Sequence, residues 1–364
     1  MSDIKLRKLR FYVEQYYDLQ MERVAAFNRL TCMVRDYIGM NQVLKELVAY
    51  SVNKLKKGAD IDINQLIGQV DRVVDPTLSL QDNVDLLENA LGITIIPVDE
   101  PYAWYVDRLL RGKAIIPATD LEDIIDTCRA LAEDEDQMRR KIEDVLQEFD
   151  VYTEYMSKVR GMGATYSGAL IAWTAPISRF EYSSRLRAYA GLTAQHYELE
   201  CEKGHKIIAT NVKEVCPVPT EKKGKKCGAR ITKVREVKKP PKRKRGYYVM
   251  VNMRLKALGW KIARSFEFQK TSKSYYRYLY DRIKAYYSSR PDLKKATKAR
   301  IRNMALLWVA SMFYNHYWEV YRRLEGLPVT EPYPIAKLGH TVKIIPMVDM
   351  GESKVVPTWS GSIS

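Results

Sequence analysis

The stretch from Leu121 to Val159, LEDIIDTCRALAEDEDQMRRKIEDVLQEFDVYTEYMSKV, decides the fold class of this chain. Apolar residues recur in it at alternating intervals of three and four, and the exception in the series is Glu135. An α-helix turns once every 3.6 residues, so this spacing places the series along one side of a helix, as in a coiled coil. The pattern predicts a helix of about forty residues, roughly 60 Å long at 1.5 Å per residue.

A second series with the same spacing lies between Ile4 and Ile38, where the chain has no Gly or Pro. Its two polar positions are Gln20 and Arg23. The two predicted helices could pair within one chain or join two copies, and we expect a homodimer or higher oligomer through coiled coils. The many acids between 120 and 150 alternate with the apolar series, which favours a solvated helix face over a metal or acid–base site.

The rest of the chain is also predicted to be mainly helical. Residues 40–117 are typical of shorter helices, with one strand expected at Ile93–Val98. Three further helices are expected in the C-terminal part, at Tyr247–Phe268, Lys270–Tyr287 and Asp292–Glu325.

Composition excludes several classes of protein. With 364 residues, of which 46% are hydrophobic and 29% charged, the chain has the material for a globular core and is not disordered. The first residues contain no apolar leader, and the longest apolar run, Met304–Tyr314, is too short to span a bilayer. Five cysteines, an odd number, argue against a disulfide framework. These features predict a cytoplasmic, reducing setting without a membrane partner.

The positive charge is concentrated in one segment. Residues 201–300 carry 30 Lys and Arg against 7 Asp and Glu, whereas residues 1–200 carry 24 against 32. The density peaks at Glu221–Arg245, where 13 of 25 residues are basic. Such a segment repels itself unless a polyanion supplies the opposite charge, and nucleic-acid phosphates are the usual partner. A solvated basic loop is the alternative, and an anionic membrane is disfavoured because Lys238–Arg245 contains two prolines and no apolar face.

A Gly-x-Gly turn provides a second candidate contact with phosphates. Arg160-Gly161-Met162-Gly163 lies between the long predicted helix and another helix expected from Thr165 to Trp173, which is the helix-hairpin-helix pattern. Glycines there let backbone N–H groups approach a phosphate without a side chain in the way. A tight connection between two helices is the alternative interpretation. The residues predicted to contact DNA are Arg160, Gly161, Gly163, Lys222, Lys223, Lys225, Lys226, Lys238, Lys239, Lys242, Arg243, Lys244 and Arg245.

Three cysteines and a histidine within 27 residues predict a metal site: Cys201, His205, Cys216 and Cys227. Thiolate and imidazole are the ligands that Zn²⁺ prefers, and four of them close a structural site. His196 is a reserve fourth ligand, and three unrelated reduced cysteines are the alternative. A closed zinc site would stabilise a β-ribbon and present the lysines at 222–226 on a rigid hairpin.

Basic and tyrosine side chains also interleave in Tyr275–Tyr287. Such a mixture can stack bases and hold phosphates, and tyrosines at helical spacing are as often part of a core, so both interpretations stay open.

Together these patterns predict a mainly α fold with long coiled-coil helices, a helix-hairpin-helix-containing helical domain and a small β zinc-ribbon-like insertion. The predicted domains are an N-terminal helical domain (1–118), a coiled-coil helix (119–158), a DNA-binding domain (159–330) with the basic insertion at 198–245, and a C-terminal tail (331–364).

The segments Val159–Ala164, Arg179-Phe180 and Leu186–Leu192 (LRAYAGL) resemble the start of the C-terminal domain of Piv/MooV-type transposases, the insertion-sequence-110 family. The resemblance extends over about half of the chain, roughly residues 155–325, and the insertion at 198–245 is additional to it. It implies DNA transposition or recombination and a mobile element of a prokaryote or virus, with an archaeal host as one option. The protein would then lie in the cytoplasm with the nucleoid.

The departures from this family concern its chemistry. The resemblance would imply an N-terminal RuvC-like nuclease with acids on strands and a serine soon after Gly191-Leu192, but residues 1–115 indicate helices and no serine occurs between Ser184 and Ser265. No catalytic residue is therefore assigned. We expect a DNA-binding protein without its own strand cleavage. One alternative is an active transposase using divergent residues, such as Tyr247 or Tyr248, or a partner nuclease. The other is a zinc-ribbon protein that binds structured RNA.

Overall fold

The computed structural model describes residues 3–55, 61–114, 119–220, 224–331 and 344–347. These residues form twelve α-helices and a four-stranded sheet. The helices are α1 (Asp3–Tyr37), α2 (Gly39–Leu55), α3 (Ile63–Val73), α4 (Leu80–Leu91), α5 (Pro101–Leu110), α6 (Glu122–Leu146), α7 (Asp150–Thr153), α8 (Ala164–Thr174), α9 (Ser183–Tyr189), α10 (Met253–Glu267), α11 (Tyr275–Ser289) and α12 (Lys298–Leu324). The strands are β1 (His196–Cys201), β2 (Lys206–Ala209), β3 (Ile231–Val237) and β4 (Tyr247–Val249). The mainly helical prediction is confirmed.

The chain divides into two compact units, one of Met1–Val13 with Arg140–Ser364 and the other of Glu14–Arg139. We call them the C-terminal unit and the N-terminal unit. None of the described helices is both long enough and apolar enough to cross a membrane.

The N-terminal unit is an all-helical body around an aliphatic core. The core residues come from α1 to α5 and the start of α6, and they include Leu30, Val48, Val106 and Ile125. Glu46 is fully buried in α2, and its carboxylate is paired at 2.9 Å with the Arg108 guanidinium of α5. Removing either partner would leave a buried charge without a counter-charge, which strongly destabilises a fold.

The polar residues of the two heptad series meet inside this unit. Glu135 of α6 accepts hydrogen bonds from Gln20 at 3.1 Å and from Arg23 at 2.5 Å, both on α1. Further along the pair, the Tyr37 hydroxyl donates to Asp120. The residues that interrupt the two series are therefore partners, and the two helices run antiparallel here within one chain. Coiled-coil association between copies remains a prediction.

The long helix expected over 119–158 is shorter than predicted. α6 ends at Leu146, and the backbone N–H groups of residues 147–149 bond to carbonyls three residues back, which tightens the chain into a turn. The short α7 and a 3₁₀ turn, Met156–Lys158, follow. The cause is the burial of Phe149, Val151 and Tyr155, which cannot share one helix face and instead enter the core of the C-terminal unit.

Two other elements also differ from expectation. Residues 93–98 form no strand, because the N–H groups of Ile95 and Ile96 bond to the side chains of Glu88 and Ser51 instead of to a neighbouring strand. The helix expected from Tyr247 begins at Met253, because residues 247–249 join the sheet as β4.

The C-terminal unit is built around aromatic side chains of α10, α11 and α12. Tyr276 stacks on Phe266 with ring centroids 4.7 Å apart and meets Phe313 edge-on at 5.1 Å. Its hydroxyl bonds to that of Tyr155 and lies 2.8 Å from Nδ1 of His316. Because the tyrosine hydroxyl groups find hydrogen-bond partners in this way, their large rings can fill the core without leaving a buried polar group unpaired.

The sheet of this unit has the order β3-β1-β2-β4. β1 pairs antiparallel with both β2 and β3, while β4 lies parallel to β2. The predicted β insertion is therefore present. We call residues 196–249 the ribbon module.

The contact between α1 and α6 around Glu135, which we call the seam, can be tested by substituting Glu135. We expect Glu135→Ala to lower the free energy of unfolding by about 1–2 kcal/mol, because Gln20 and Arg23 lose their shared acceptor. The measurement is urea denaturation followed by circular dichroism.

The matched control replaces Gln20, Arg23 and Glu135 together by leucine, which continues both apolar series. It should recover most of the lost stability, since a polar cluster can be replaced by apolar residues as a whole. If Glu135→Ala unfolds like the parent, the seam does not hold these helices together.

Candidate metal centre

The turn between β1 and β2 carries the first two candidate ligands. Cys201 is the last residue of β1, and His205 directly precedes β2. Cys201 N–H donates to the His205 carbonyl at 3.1 Å, and Gly204 N–H donates to the Cys201 carbonyl at 2.8 Å. Gly204 has φ of +77°, which a residue with a side chain rarely adopts, so the glycine permits the turn that directs both side chains to one place.

A second hairpin carries the other two ligands. Its arms, residues 214–220 and 225–231, are joined by backbone hydrogen bonds from Cys216 N–H to the Ala229 carbonyl and from Cys227 N–H to the Val218 carbonyl, both at 2.8 Å. Cys216 and Cys227 therefore lie on opposite arms. Gly228 N–H also donates to the Cys216 carbonyl at 3.1 Å, which fixes the register of the arms beside both thiols.

The four predicted ligands converge. Three sulfur atoms and one imidazole nitrogen lie within 4.8 Å of one another. Nδ1 of His205 is 3.6 Å from Sγ of Cys201 and 3.5 Å from Sγ of Cys216. Tetrahedral coordination with metal–sulfur bonds of about 2.3 Å and metal–nitrogen bonds of about 2.0 Å places S and N roughly 3.6 Å apart. The cluster therefore fits a four-coordinate metal ion, which these residues could hold. His196 is not part of it, because its Nδ1 lies 2.7 Å from the Lys239 carbonyl.

The local electrostatics differ between two of the thiols. Burial opposes ionisation of Cys201, but hydrogen bonds from the backbone N–H groups of His205 and Lys203 outweigh it and lower the pKa of this thiol. Burial raises the pKa of Cys216 to about 11 despite a backbone bond from Val218. Bonds of this kind to sulfur orient a thiolate towards a metal and stabilise its charge.

The ribbon module has little else to hold it together. Among the described residues its core cluster contains five buried residues, two of which are Cys201 and Cys216, with six partly buried residues packed against them. A core of this size contributes few kcal/mol, and small folds usually add a metal or disulfides. With four protein ligands the centre is closed, so it can stabilise structure but offers a substrate no coordination position.

Some basic residues of the module are neutralised within the sheet. On β3, Arg235 pairs with Glu198 of β1 at 3.0 Å, and Lys233 pairs with Glu200 at 3.3 Å. The antiparallel register places these residues directly opposite one another. Neither acid was singled out in the sequence, although their alternation with apolar residues along β1 and the basic alternation on β3 could have indicated the pairing.

Most predicted DNA contacts in the module are exposed and have no acidic partner within 4 Å among the residues that the structure describes. This holds for Lys225, Lys226, Lys238, Lys239, Lys242, Arg243 and Arg245. Lys244 pairs with Glu198 at 3.2 Å. Lys222 and Lys223 lie outside the described residues.

The basic run 238–245 is held at three points, two within the ribbon module and one on α10. The Lys239 carbonyl bonds to the buried His196 imidazole, and the Pro241 carbonyl accepts a hydrogen bond from Lys256 of α10. Lys244 stacks over the Tyr247 ring at 4.2 Å. Burial, with the nearby charge of Lys242, lowers the pKa of Lys256. The run is therefore an anchored segment and not a free basic loop.

The glycine turn before α8 has one glycine packed and one open. Gly161 has φ of +93°, and a Cβ there would lie 3.1 Å from the Phe266 ring and from Oγ of Ser265. Ser265 also donates to the Gly161 carbonyl at 2.7 Å. Gly163 is the exposed N-cap of α8 and has open space around it. Arg160 is exposed beside them. Because a short α7 and a 3₁₀ turn precede this turn, the helix-hairpin-helix assignment stays a prediction.

Three of the six tyrosines of α11 belong to the core. Tyr275, Tyr276 and Tyr280 are at most 2% exposed, and the Tyr280 hydroxyl donates to Glu267 at 2.7 Å. These three rings belong to the core and not to a base-stacking surface.

Comparisons with known proteins identify no relative: no family model, no curated protein and no solved structure matches the chain. The resemblance to insertion-sequence-110 transposases and the functions it implies therefore remain predictions. The proposed function therefore rests on the geometry of the candidate metal centre and on the basic residues around it.

Cobalt binding tests the centre directly. We expect one equivalent of Co²⁺ to give the visible d–d absorption of tetrahedral sulfur–nitrogen coordination in the reduced protein, because the four ligand atoms are already gathered. Cys227→Ser should weaken Co²⁺ binding by about tenfold or more, by removing one of four ligands. The measurement is an absorbance titration with competition by Zn²⁺.

Cys32→Ser is the matched control, because Cys32 is an exposed free thiol on α1 and outside the cluster. This variant should titrate like the parent. A parent protein that gives no tetrahedral absorption, or a Cys227→Ser variant that binds as tightly as the parent, would contradict the assignment.

Proposed function

We propose that this protein binds DNA through a zinc-stabilised ribbon module and has no strand-cleavage activity of its own. The observation that carries the proposal is the position of the exposed basic residues: those at 225–226 lie on the arm that supplies Cys227, and those at 238–245 continue from β3. Zinc suits the donor set best, since thiolate and imidazole ligands in tetrahedral arrangement are its usual environment.

The charge of the module favours phosphates as the target. The acids on β1 are already committed to Lys233, Arg235 and Lys244, so the remaining lysines and arginines face solvent without compensation among the described residues. A polyanion that neutralises them releases its counterions, which gives affinity without reading sequence. Phosphate contacts also position a protein on the duplex.

Anchoring adds to this argument. A flexible basic tail loses conformational freedom when it binds, whereas a segment already attached through His196, Lys256 and Tyr247 loses less. We infer that the basic run and the metal centre act as one rigid DNA-binding surface. The turn at Arg160–Gly163, in which Arg160 and Gly163 are exposed, is a second candidate contact within the same unit.

Binding experiments also test the alternative functions, which are transposition or recombination and the binding of structured RNA. The resemblance to transposases supports a role in transposition or recombination, and a nuclease partner would then supply the cleavage. Tyr247 and Tyr248 lie on β4, where Tyr247 accepts a hydrogen bond from Lys244 at 3.1 Å. That contact anchors the basic run, so we assign no nucleophile. Preference for structured RNA over DNA of equal length would favour the RNA-binding alternative, and self-association would be shown by sedimentation.

Charge reversal tests the proposed surface. We expect Lys238→Glu with Lys239→Glu to weaken duplex DNA binding to a similar degree for unrelated sequences, because phosphates are common to all of them. The slope of log affinity against log salt should fall by about 2, at roughly 0.9 per lost phosphate contact. Fluorescence anisotropy at several salt concentrations measures both effects.

Lys294→Glu with Lys295→Glu is the charge-matched control, since both lysines are exposed in the same unit but outside the ribbon module. It should retain the parent salt slope. Equal effects of the two double variants would mean that only net charge matters, and an unchanged affinity of the Lys238/Lys239 variant would remove the basic run from the interface.

A further inference from the structure

The outer face of α10 carries two large aromatic rings that are partly open to solvent among the residues that the structure describes. Trp260 is 40% exposed and Phe268, directly after the helix, is 72% exposed. Arg264 stacks over the Phe268 ring at 4.9 Å. Burying rings of this size normally stabilises a fold, so their exposure on a well-packed helix needs a reason.

Basic side chains surround these rings. The exposed cations of this face are Arg254, Lys261 and Lys270. The one acid of α10, Glu267, forms a bidentate pair with Arg302, in which both oxygen–nitrogen distances are 2.6 Å, and its carboxylate also lies 3.6 Å from the Arg264 guanidinium. The face is therefore aromatic and positive, without an exposed carboxylate on the helix.

The rotation of α10 places this face between the two predicted phosphate contacts. At about 100° per residue, Lys256 and Ser265 lie on opposite flanks of the exposed stripe. Lys256 bonds to the Pro241 carbonyl of the basic run, and Ser265 bonds to the Gly161 carbonyl of the glycine turn. A strand that runs from the basic run towards Arg160 would thus pass Trp260, and Phe268 lies about 4.5 Å beyond the level of Ser265 along the helix axis.

We propose that the α10 face stacks unpaired bases of a single-stranded DNA segment adjoining the bound duplex. The proposal rests on the DNA-binding function above and names the form of DNA that the site prefers. Trp260 and Phe268 are eight positions apart, about 12 Å along the helix axis, so each ring can stack a different base. Base–aromatic stacking with cations on the backbone is how proteins hold single strands without reading sequence.

A second copy of the chain suits this face less well. A two-fold interface would bring the exposed cations of this face close to their copies, and like charges repel one another. A single strand supplies both rings for stacking and phosphates for the cations.

The test uses three DNA probes with the full-length, metal-loaded protein. They share one labelled duplex and carry no extension, a thymidine extension, or an abasic extension that keeps the phosphates but lacks the bases. We expect the thymidine extension to raise affinity about tenfold over the abasic one, as one or two stacked bases would. Trp260→Ala with Phe268→Ala should abolish this difference and leave blunt-duplex binding unchanged.

Two further variants make the result specific. Trp260→Phe keeps a ring and should retain most of the gain. Phe11→Ala removes a ring that is 60% exposed on α1 of the same unit, and it should behave like the parent. Quenching of tryptophan emission by the thymidine extension should vanish in Trp260→Phe, because among the described residues Trp260 is the exposed tryptophan.

Equal binding of the thymidine and abasic extensions, or an undiminished gain in the double alanine variant, overturns the inference while the duplex-binding function stands. Failure of every probe to bind overturns both. If the double alanine variant changes the sedimenting mass and not the DNA affinity, the face is an interface between copies.

Discussion

The convergence of three thiols and one imidazole within 4.8 Å is the constraint on which the ribbon module depends. Without a metal, the core cluster of the module would consist of five buried residues and the partly buried residues packed against them, and two of the five are themselves candidate ligands. Each hairpin supplies two ligands, so an ion at this point would join the β1–β2 turn to the arms at 214–220 and 225–231. Because Cys227 is adjacent to Lys226, an ion bound there would also restrict where Lys226 lies. With an ion bound, the position of the basic residues beside Cys227 would depend on the position of that ion.

Only some of the basic residues of the ribbon module have acidic partners among the described residues. Glu198 and Glu200 neutralise the basic residues of β3 and part of the run that follows, while the remaining cations stay exposed. The run is fastened to β1 through His196 and to α10 through Lys256. α10 in turn carries Trp260 and Phe268 on its outer face. In the function that we propose, these elements form one surface on which phosphate contacts and base stacking would be adjacent.

The sequence was informative where local chemistry determines the outcome. Four ligands in turn-prone contexts could be identified because thiols and imidazole have few other reasons to cluster, and the interruptions at Gln20, Arg23 and Glu135 were visible as a set. The pairing of these three residues with one another could not be predicted, because the same heptad spacing is compatible with helix pairing within a chain and between chains. The end of α6 at Leu146 was missed because Phe149, Val151 and Tyr155 are apolar whichever face they occupy. The exposure of Trp260 could not be read from its type, since aromatic residues are usually buried; only the packing of α10 reveals it.

The central claim is that a metal at Cys201, His205, Cys216 and Cys227 holds the DNA-binding surface in place. The most direct test compares duplex DNA affinity of the zinc-loaded protein, of the same preparation after chelation and removal of the chelator, and after zinc is restored. The account predicts a loss on the order of tenfold or more on removal, because the basic segments lose their preorganisation, and full recovery on restoration. A protein without metal that binds DNA as tightly as the loaded form, with the same salt dependence, would contradict it.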